Sequence, residues 1–198
     1  MLTKLKNISR NYQSKFLYVN DTGTRESFSN LSVTCFGATG KIGTRIAYEF
    51  GSIGSDLILP YRDDIYNETA HYLKMTGQLG QAYTYPYTNF DDPGVLGRLI
   101  KQSNVVVNMI GASYNKSKIE DFEYANILIP RRLAKLARKQ GVKKFIHFSA
   151  VGANEKSESF DLRTKFQGEK AVLEEFPEAV ILRLCPVVNC DDDVHTPF

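Results

Sequence analysis

Gly37, Gly40 and Gly43 stand three residues apart in the stretch Phe36-Gly37-Ala38-Thr39-Gly40-Lys41-Ile42-Gly43. A glycine turn of this kind can cradle a phosphate. Gly37 permits a sharp turn without a Cβ clash. Gly40 lets backbone approach a pyrophosphate, whose charge suits the N–H groups at a helix start. Gly43 lets that helix lie close on the sheet. Thr39, Lys41 and Ile42 complete the loop. The spacing differs from G-x-G-x-x-G, and a glycine turn between strand and helix is also used purely structurally. About 20 residues farther on, where an acidic residue or an arginine usually meets the adenosine ribose, stands Arg62. A guanidinium there suits a 2′-phosphate by charge and by its forked donors, which favours NADP. Asp63 facing the ribose would favour NAD instead.

These residues need elements to hold them. Val33 to Phe36 reads as a strand, and Ile46, Ala47 and Phe50 fall on one face of a following helix. Residues 56–60 form a second apolar run. Residues 64–76 carry a weakly amphipathic helical pattern, and 81–87 a third strand that Pro86 assigns to an edge or a terminus. Asn89-Phe90-Asp91-Asp92-Pro93 reads as a turn that caps another helix, with Val95, Leu96, Leu99 and Ile100 in its pattern. The continuous apolar run 105–111 is the pattern of a strand covered on both faces. Residues 119–139 predict a long helix with Ile129, Leu133, Leu136 and Ala137 inward and a basic, solvated outer face. A strand over 144–149 ends at Ser149, and His147 within it reads as a sheet residue. A helix over 160–176 and a strand over 180–184 follow. This alternation predicts an α/β fold, a doubly wound, mainly parallel sheet with helices on both faces. Ligands then sit beyond the carboxyl ends of the strands. The residues landing there are 37–43, Arg62, Asn89, Asn108 to Gly111 (Ile110 among them), Ser149 and Pro186.

Composition narrows the function classes. The chain has 198 residues, enough for one well-cored domain over 31–190 and too few for two. A net charge of +3 is too mild to argue for nucleic acid or an anionic surface. Cys35, Cys185 and Cys190 show no metal-ligand spacing, so no metal site is expected. No apolar run nears the roughly 20 residues that span a bilayer. Residues 1–30 form a basic arm, with Lys4, Lys6, Arg10 and Lys15 and no acidic residue before Asp21. The arm reads as a mitochondrial presequence or as a retained extension.

Several stretches carry a resemblance: residues 36–43, Ile58-Leu59-Pro60-Tyr61-Arg62, Ser103-Asn104-Val105-Val106-Val107-Asn108-Met109-Ile110-Gly111, 144–149 and Lys165-Phe166-Gln167-Gly168-Glu169-Lys170. They resemble atypical extended short-chain dehydrogenases, and among these the dehydrogenase-like accessory subunits of mitochondrial respiratory complex I. The resemblance implies a Rossmann fold and a tightly held NADPH. It also implies other complex I subunits as partners, and a place on the matrix side of the mitochondrial inner membrane, peripheral to it. Active members carry a tyrosine four residues before the lysine that here is Lys165. That tyrosine exchanges the proton, while the lysine holds the nicotinamide ribose. Here the position is Asp161. A carboxyl group, with an ordinary pKa of about 4, has no proton to give an alkoxide at neutral pH. The resemblance therefore implies a non-catalytic subunit that keeps Ser149 and Lys165 as cofactor contacts. The alternative is an active NADP-dependent reductase or epimerase with another acid. Asn89 stands where the family usually has an aspartate facing adenine, and its amide oxygen can still accept. Residues 191–198 are expected to begin a second, substrate-binding half, absent from this span.

Overall fold

The computed structural model describes residues 29–62, 72–77, 82–87, 90, 92–112 and 118–185. The basic arm, Asp63, Asn89 and Pro186 lie outside the described residues, as does most of the helical pattern over 64–76. Strands β1 (Ser32–Phe36), β2 (Asp56–Arg62), β3 (Ala82–Tyr87), β4 (Val105–Asn108), β5 (Lys144–Ala150) and β6 (Val180–Leu184) make one sheet. Its order is β3-β2-β1-β4-β5-β6, and every pairing is parallel. The sequence expectation of a doubly wound parallel sheet holds, and β3, with its proline, is an edge strand.

The chain reverses direction across the sheet between β1 and β4, which lie side by side although β2 and β3 intervene in sequence. Helix α1 (Lys41–Ser52) follows β1 and covers one face. Its Ala47 joins Val33, Cys35, Leu57, Leu59 and Val107 in a closed apolar cluster. Helices α2 (Pro93–Lys101), α4 (Ile129–Lys139) and α5 (Phe160–Glu175) cover the other face. There Leu96, Ile100, Leu133, Ala137 and Val172 pack on Phe36, Val106 and Phe145. Cys35, next to the last residue of β1, is fully buried, and burial pushes its thiol up to about 12.

Local chemistry sets the helix ends. Asp92 caps α2, its carboxylate accepting from the Gly94 N–H at 2.8 Å. Gly40 caps α1 with no side chain at all, so that helix start keeps its donors for something else. Two elements depart from the sequence reading. The strand at 105–111 stops at Asn108, because the Asn108 Oδ1 accepts from the Ile110 N–H and bends the chain out of the ladder. The long helix over 119–139 is really α3 (Ile119–Glu123), a π turn (Tyr124–Leu128) and then α4. Pro130 has no N–H to donate to the Asn126 carbonyl, and the Ile129 N–H bonds instead to the Tyr124 carbonyl, five residues back. Arg131, Arg132, Lys135, Arg138 and Lys139 face outward as expected. Arg131 and Arg138 there reach the carboxylate and the backbone carbonyl of Glu175 on α5.

Candidate functional site

The carboxyl edge of the sheet gathers most of the residues singled out by their chemistry. Gly37 leaves β1 with φ of +83°. A Cβ there would lie 2.9 Å from the Met109 carbonyl carbon, so the turn is pressed against the chain leaving β4. A Cβ on Gly43 would come within 2.1 Å of the Gly37 oxygen, so α1 rests directly on the turn. Gly40 is different. Its missing Cβ would make only an ordinary contact, 3.4 Å from the Gly37 oxygen, and the residue is exposed. Nothing inside the protein demands glycine there, which leaves the outer side open to a ligand. The Gly40 and Thr44 N–H groups are taken by the Gly37 and Gly40 carbonyls. The Ile42 and Gly43 N–H groups find no acceptor among the described residues. Thr39 is half-buried beside them, and Lys41 and Ile42 are exposed. Arg62 closes β2 as an exposed guanidinium.

Beyond β4, half-buried Ile110 and exposed Gly111 run past the turn. Asn108 reaches across to β5, its Nδ2 lying 3.1 Å from the His147 Nδ1. Because the Asn108 Oδ1 is already engaged by Ile110, its amide nitrogen is the donor, and the imidazole proton sits on Nε2. Burial pushes His147 down to about 4, against the pull of Glu169 and with the help of Lys165. His147 is therefore neutral at physiological pH and has no proton to spare as a general acid, in keeping with its reading as a sheet residue. Two residues on, the Ser149 Oγ is buried and has no hydrogen-bond partner among the described residues. A buried orphan hydroxyl is costly unless something else completes it.

The third part of the site stands on α5. Lys165 Nζ donates to the Asp161 Oδ2 at 2.8 Å, one turn apart on the same helix. The Asp161 side chain is only 8% exposed, and Lys165 26%. The other Asp161 oxygen accepts from the Asn126 Nδ2 at 3.0 Å, and the same amide reaches the Thr164 Oγ1 at 3.0 Å. The Asn126 Oδ1 accepts from the Ala112 N–H at 3.4 Å. One asparagine in the π turn thus ties the loop after β4 to α5. The contact is close because of Gly168, where a Cβ would fall 1.9 Å from the Asn126 carbonyl oxygen. Buried Glu169 is matched by Arg183 of β6, with two bonds of 2.9 and 2.6 Å, and this pairing raises the Arg183 pKa.

The structure thus brings Gly37 to Gly43, Ile110, Gly111, Ser149 and Lys165 to one edge, with Arg62 at the end of β2, while Asn89 and Pro186 lie outside the described residues. Sequence reasoning missed Asn126. Its signal was present: it falls four residues after buried Phe122, on the inward face, where the helical period calls for an apolar side chain. No group of three or more metal-ligating side chains occurs among the described residues.

Residues 33–178 match the family described as "NAD dependent epimerase/dehydratase family". The chain is 38% identical over 170 residues to the mouse (Mus musculus) protein named NADH dehydrogenase [ubiquinone] 1 alpha subcomplex subunit 9, mitochondrial. That alignment covers 86% of this chain and 44% of the mouse protein. The Arabidopsis thaliana protein of the same name is 34% identical over 178 residues, 89% of this chain and 43% of its own length. The chain therefore spans a little under half the length of these relatives. Among solved structures, the UDP-glucuronic acid 4-epimerase of Bacillus cereus in complex with NAD superposes with a TM-score of 0.64 at 17% identity, over 78% of this chain and 56% of that one.

Proposed function

The chain belongs to the NAD dependent epimerase/dehydratase family, and from that footing we propose that it is a non-catalytic, NADPH-binding accessory subunit of mitochondrial respiratory complex I. On this reading it sits on the matrix side of the inner membrane, peripheral to it, and contributes structure or assembly rather than turnover. The names of the mouse and Arabidopsis relatives support the partner assignment. No described helix is long and apolar enough to cross a membrane.

The observation that carries the loss of catalysis is the state of Asp161. Its two oxygens accept from Lys165 and from Asn126, so each oxygen of the carboxylate at the family's tyrosine position already holds a donor. It has no hydroxyl to offer a carbonyl oxygen. Lys165 is drawn toward that carboxylate, where active members place it to assist a tyrosine.

The residues present fit a dinucleotide. Gly40 has open space on its outer side, the Ile42 and Gly43 N–H groups are available to phosphate oxygens, and the Ser149 Oγ awaits a partner. When bound, NADPH carries a transferable hydride. The loop from Gly37 to Gly43 would hold the pyrophosphate and Arg62 the 2′-phosphate, with Asn89 toward adenine. Ile110, Gly111, Ser149, Lys165 and Pro186 would line the nicotinamide half. The competing reading, an active reductase or epimerase, needs a proton donor close to Ser149, and neutral His147 does not supply one at pH 7.

Native electrophoresis of gently solubilised mitochondrial membranes tests the assignment. The expected result is co-migration of this chain's peptides with the complex I band, and NADPH in the acid extract of that band. Migration as a small free species, or stereospecific hydride transfer to a carbonyl substrate, would overturn it.

A further inference from the structure

The nine residues of α2 and the eleven of α4 include lysines and arginines but no aspartate or glutamate. The whole chain is nearly balanced, at 25 basic against 22 acidic residues, so the charge is a local concentration. On the α5 side it is answered. Arg131 pairs with the carboxylates of Glu174 and Glu175, and Arg138 bonds to the Glu175 carbonyl. On the α2 side, exposed Arg98, Lys101, Lys135 and Lys139 have no acidic partner among the described residues. Arg98 and Lys101 stand one helical turn apart, as do Lys135 and Lys139, so each pair sets like charges side by side. Between the two helices lies a groove of about 430 Å³, lined by buried Gly97, half-buried Leu136 and exposed Pro93, Arg98, Lys101 and Lys139. Asp92, next to Pro93, spends its Oδ1 on the Gly94 and Val95 N–H groups.

We propose that this groove docks an acidic, extended segment of a partner protein. Charge sets the sign of the occupant, since the lining holds three cations and no carboxylate. Carboxylates seated there cancel the repulsion within each like-charged pair, and complementary charge steers the segment and fixes its register. Pro93 and Leu136 lie among the cations, so the segment places an apolar side chain between its acids. A single-stranded nucleic acid is bound on aromatic rings, and no lining residue is aromatic. A membrane surface is met by bulky apolar side chains that enter the lipid, whereas here cations surround a recess. Lys101 and Lys139 stand in the last turns of their helices, just ahead of β4 and β5. The groove therefore reaches toward the amino edge of the sheet, away from the glycine turn, and its argument uses no part of the nucleotide site.

The test is photocrosslinking of the full chain in the organism's own cells. A benzophenone-bearing phenylalanine analogue is placed singly at Gln140, which also lines the groove, and at exposed Ile53, at the far end of α1. Mass spectrometry then identifies each crosslinked peptide. We expect Gln140 to capture a peptide rich in aspartate and glutamate, at several times the yield of Ile53. Arg98→Glu with Lys101→Glu should cut that yield about tenfold, and Arg98→Lys with Lys101→Arg should keep it. Changing the acids of the captured segment to lysine should restore crosslinking to the charge-reversed protein, a rescue that a misfolded variant does not show. Capture of a peptide without acidic residues, of lipid, of nucleic acid or of this chain itself would overturn the proposal. So would a yield no higher than at Ile53, or one indifferent to charge reversal. An acidic segment from a protein outside complex I would support the groove and count against the functional assignment, so the two fail separately.

Discussion

Arg62 ends β2 as an exposed guanidinium, and on the proposed function it is the group that tells a phosphorylated ribose from a bare one. Charge-assisted hydrogen bonds of this kind contribute about 1.5–3 kcal/mol. Arg62→Ala should therefore weaken NADPH about 10- to 100-fold by titration calorimetry while leaving NADH within a few-fold; equal losses would remove Arg62 from that role. His147 gives a second test at this scale. Burial holds it near 4 in the fold, against 6.5 for the free side chain, so the unfolded chain takes up the proton first as pH falls. Stability from this residue is whole above about 6.5 and drains away down to about 4, to a total of about 3 kcal/mol. Urea midpoints measured from pH 8 to pH 4 should show that slope, and His147→Gln should flatten it.

The seam between the π turn and α5 is where element packing and site chemistry meet. Gly168→Ala places a methyl group against the Asn126 carbonyl oxygen, 1.9 Å away before any shift. Backbone cannot yield as a side-chain tip does, so we expect a loss of about 3 kcal/mol in chemical denaturation. The strand–helix alternation and the inward stripe of α4 were legible in the sequence because period and apolar pattern encode them directly. The glycine turn was legible because Gly37, Gly40 and Gly43 are placed by close contact and open space. Asn126 was not, because its role depends on a π turn that Pro130 permits, and period arguments assume a regular helix. The bond from Asn126 to Asp161 and the pairing of Glu169 with Arg183 were equally hidden, since each joins two separate elements. Asp161 itself was noticed only as a missing tyrosine; that its carboxylate would close on Lys165 and Asn126 needed the fold.

At the scale of the whole molecule, a ligand that binds only the folded state stabilises it by mass action. On the proposed function, NADPH at a thousandfold excess over its Kd adds about 4 kcal/mol, or about 8–16 °C in Tm for a chain of this size. Differential scanning fluorimetry should show a shift that grows with the logarithm of NADPH concentration and shrinks in Arg62→Ala. The placement of two thiols has a further use. Cys35 lies sealed in the middle strand of the sheet, with its thiolate disfavoured by burial, whereas Cys185 is exposed just past β6. An alkylating reagent can reach the first only when β1 parts from its neighbours, while the second reacts without delay. The protein thus holds a clock and its reference on a single polypeptide. The lag of Cys35 behind Cys185, read by mass spectrometry against time, gives the frequency with which the sheet opens.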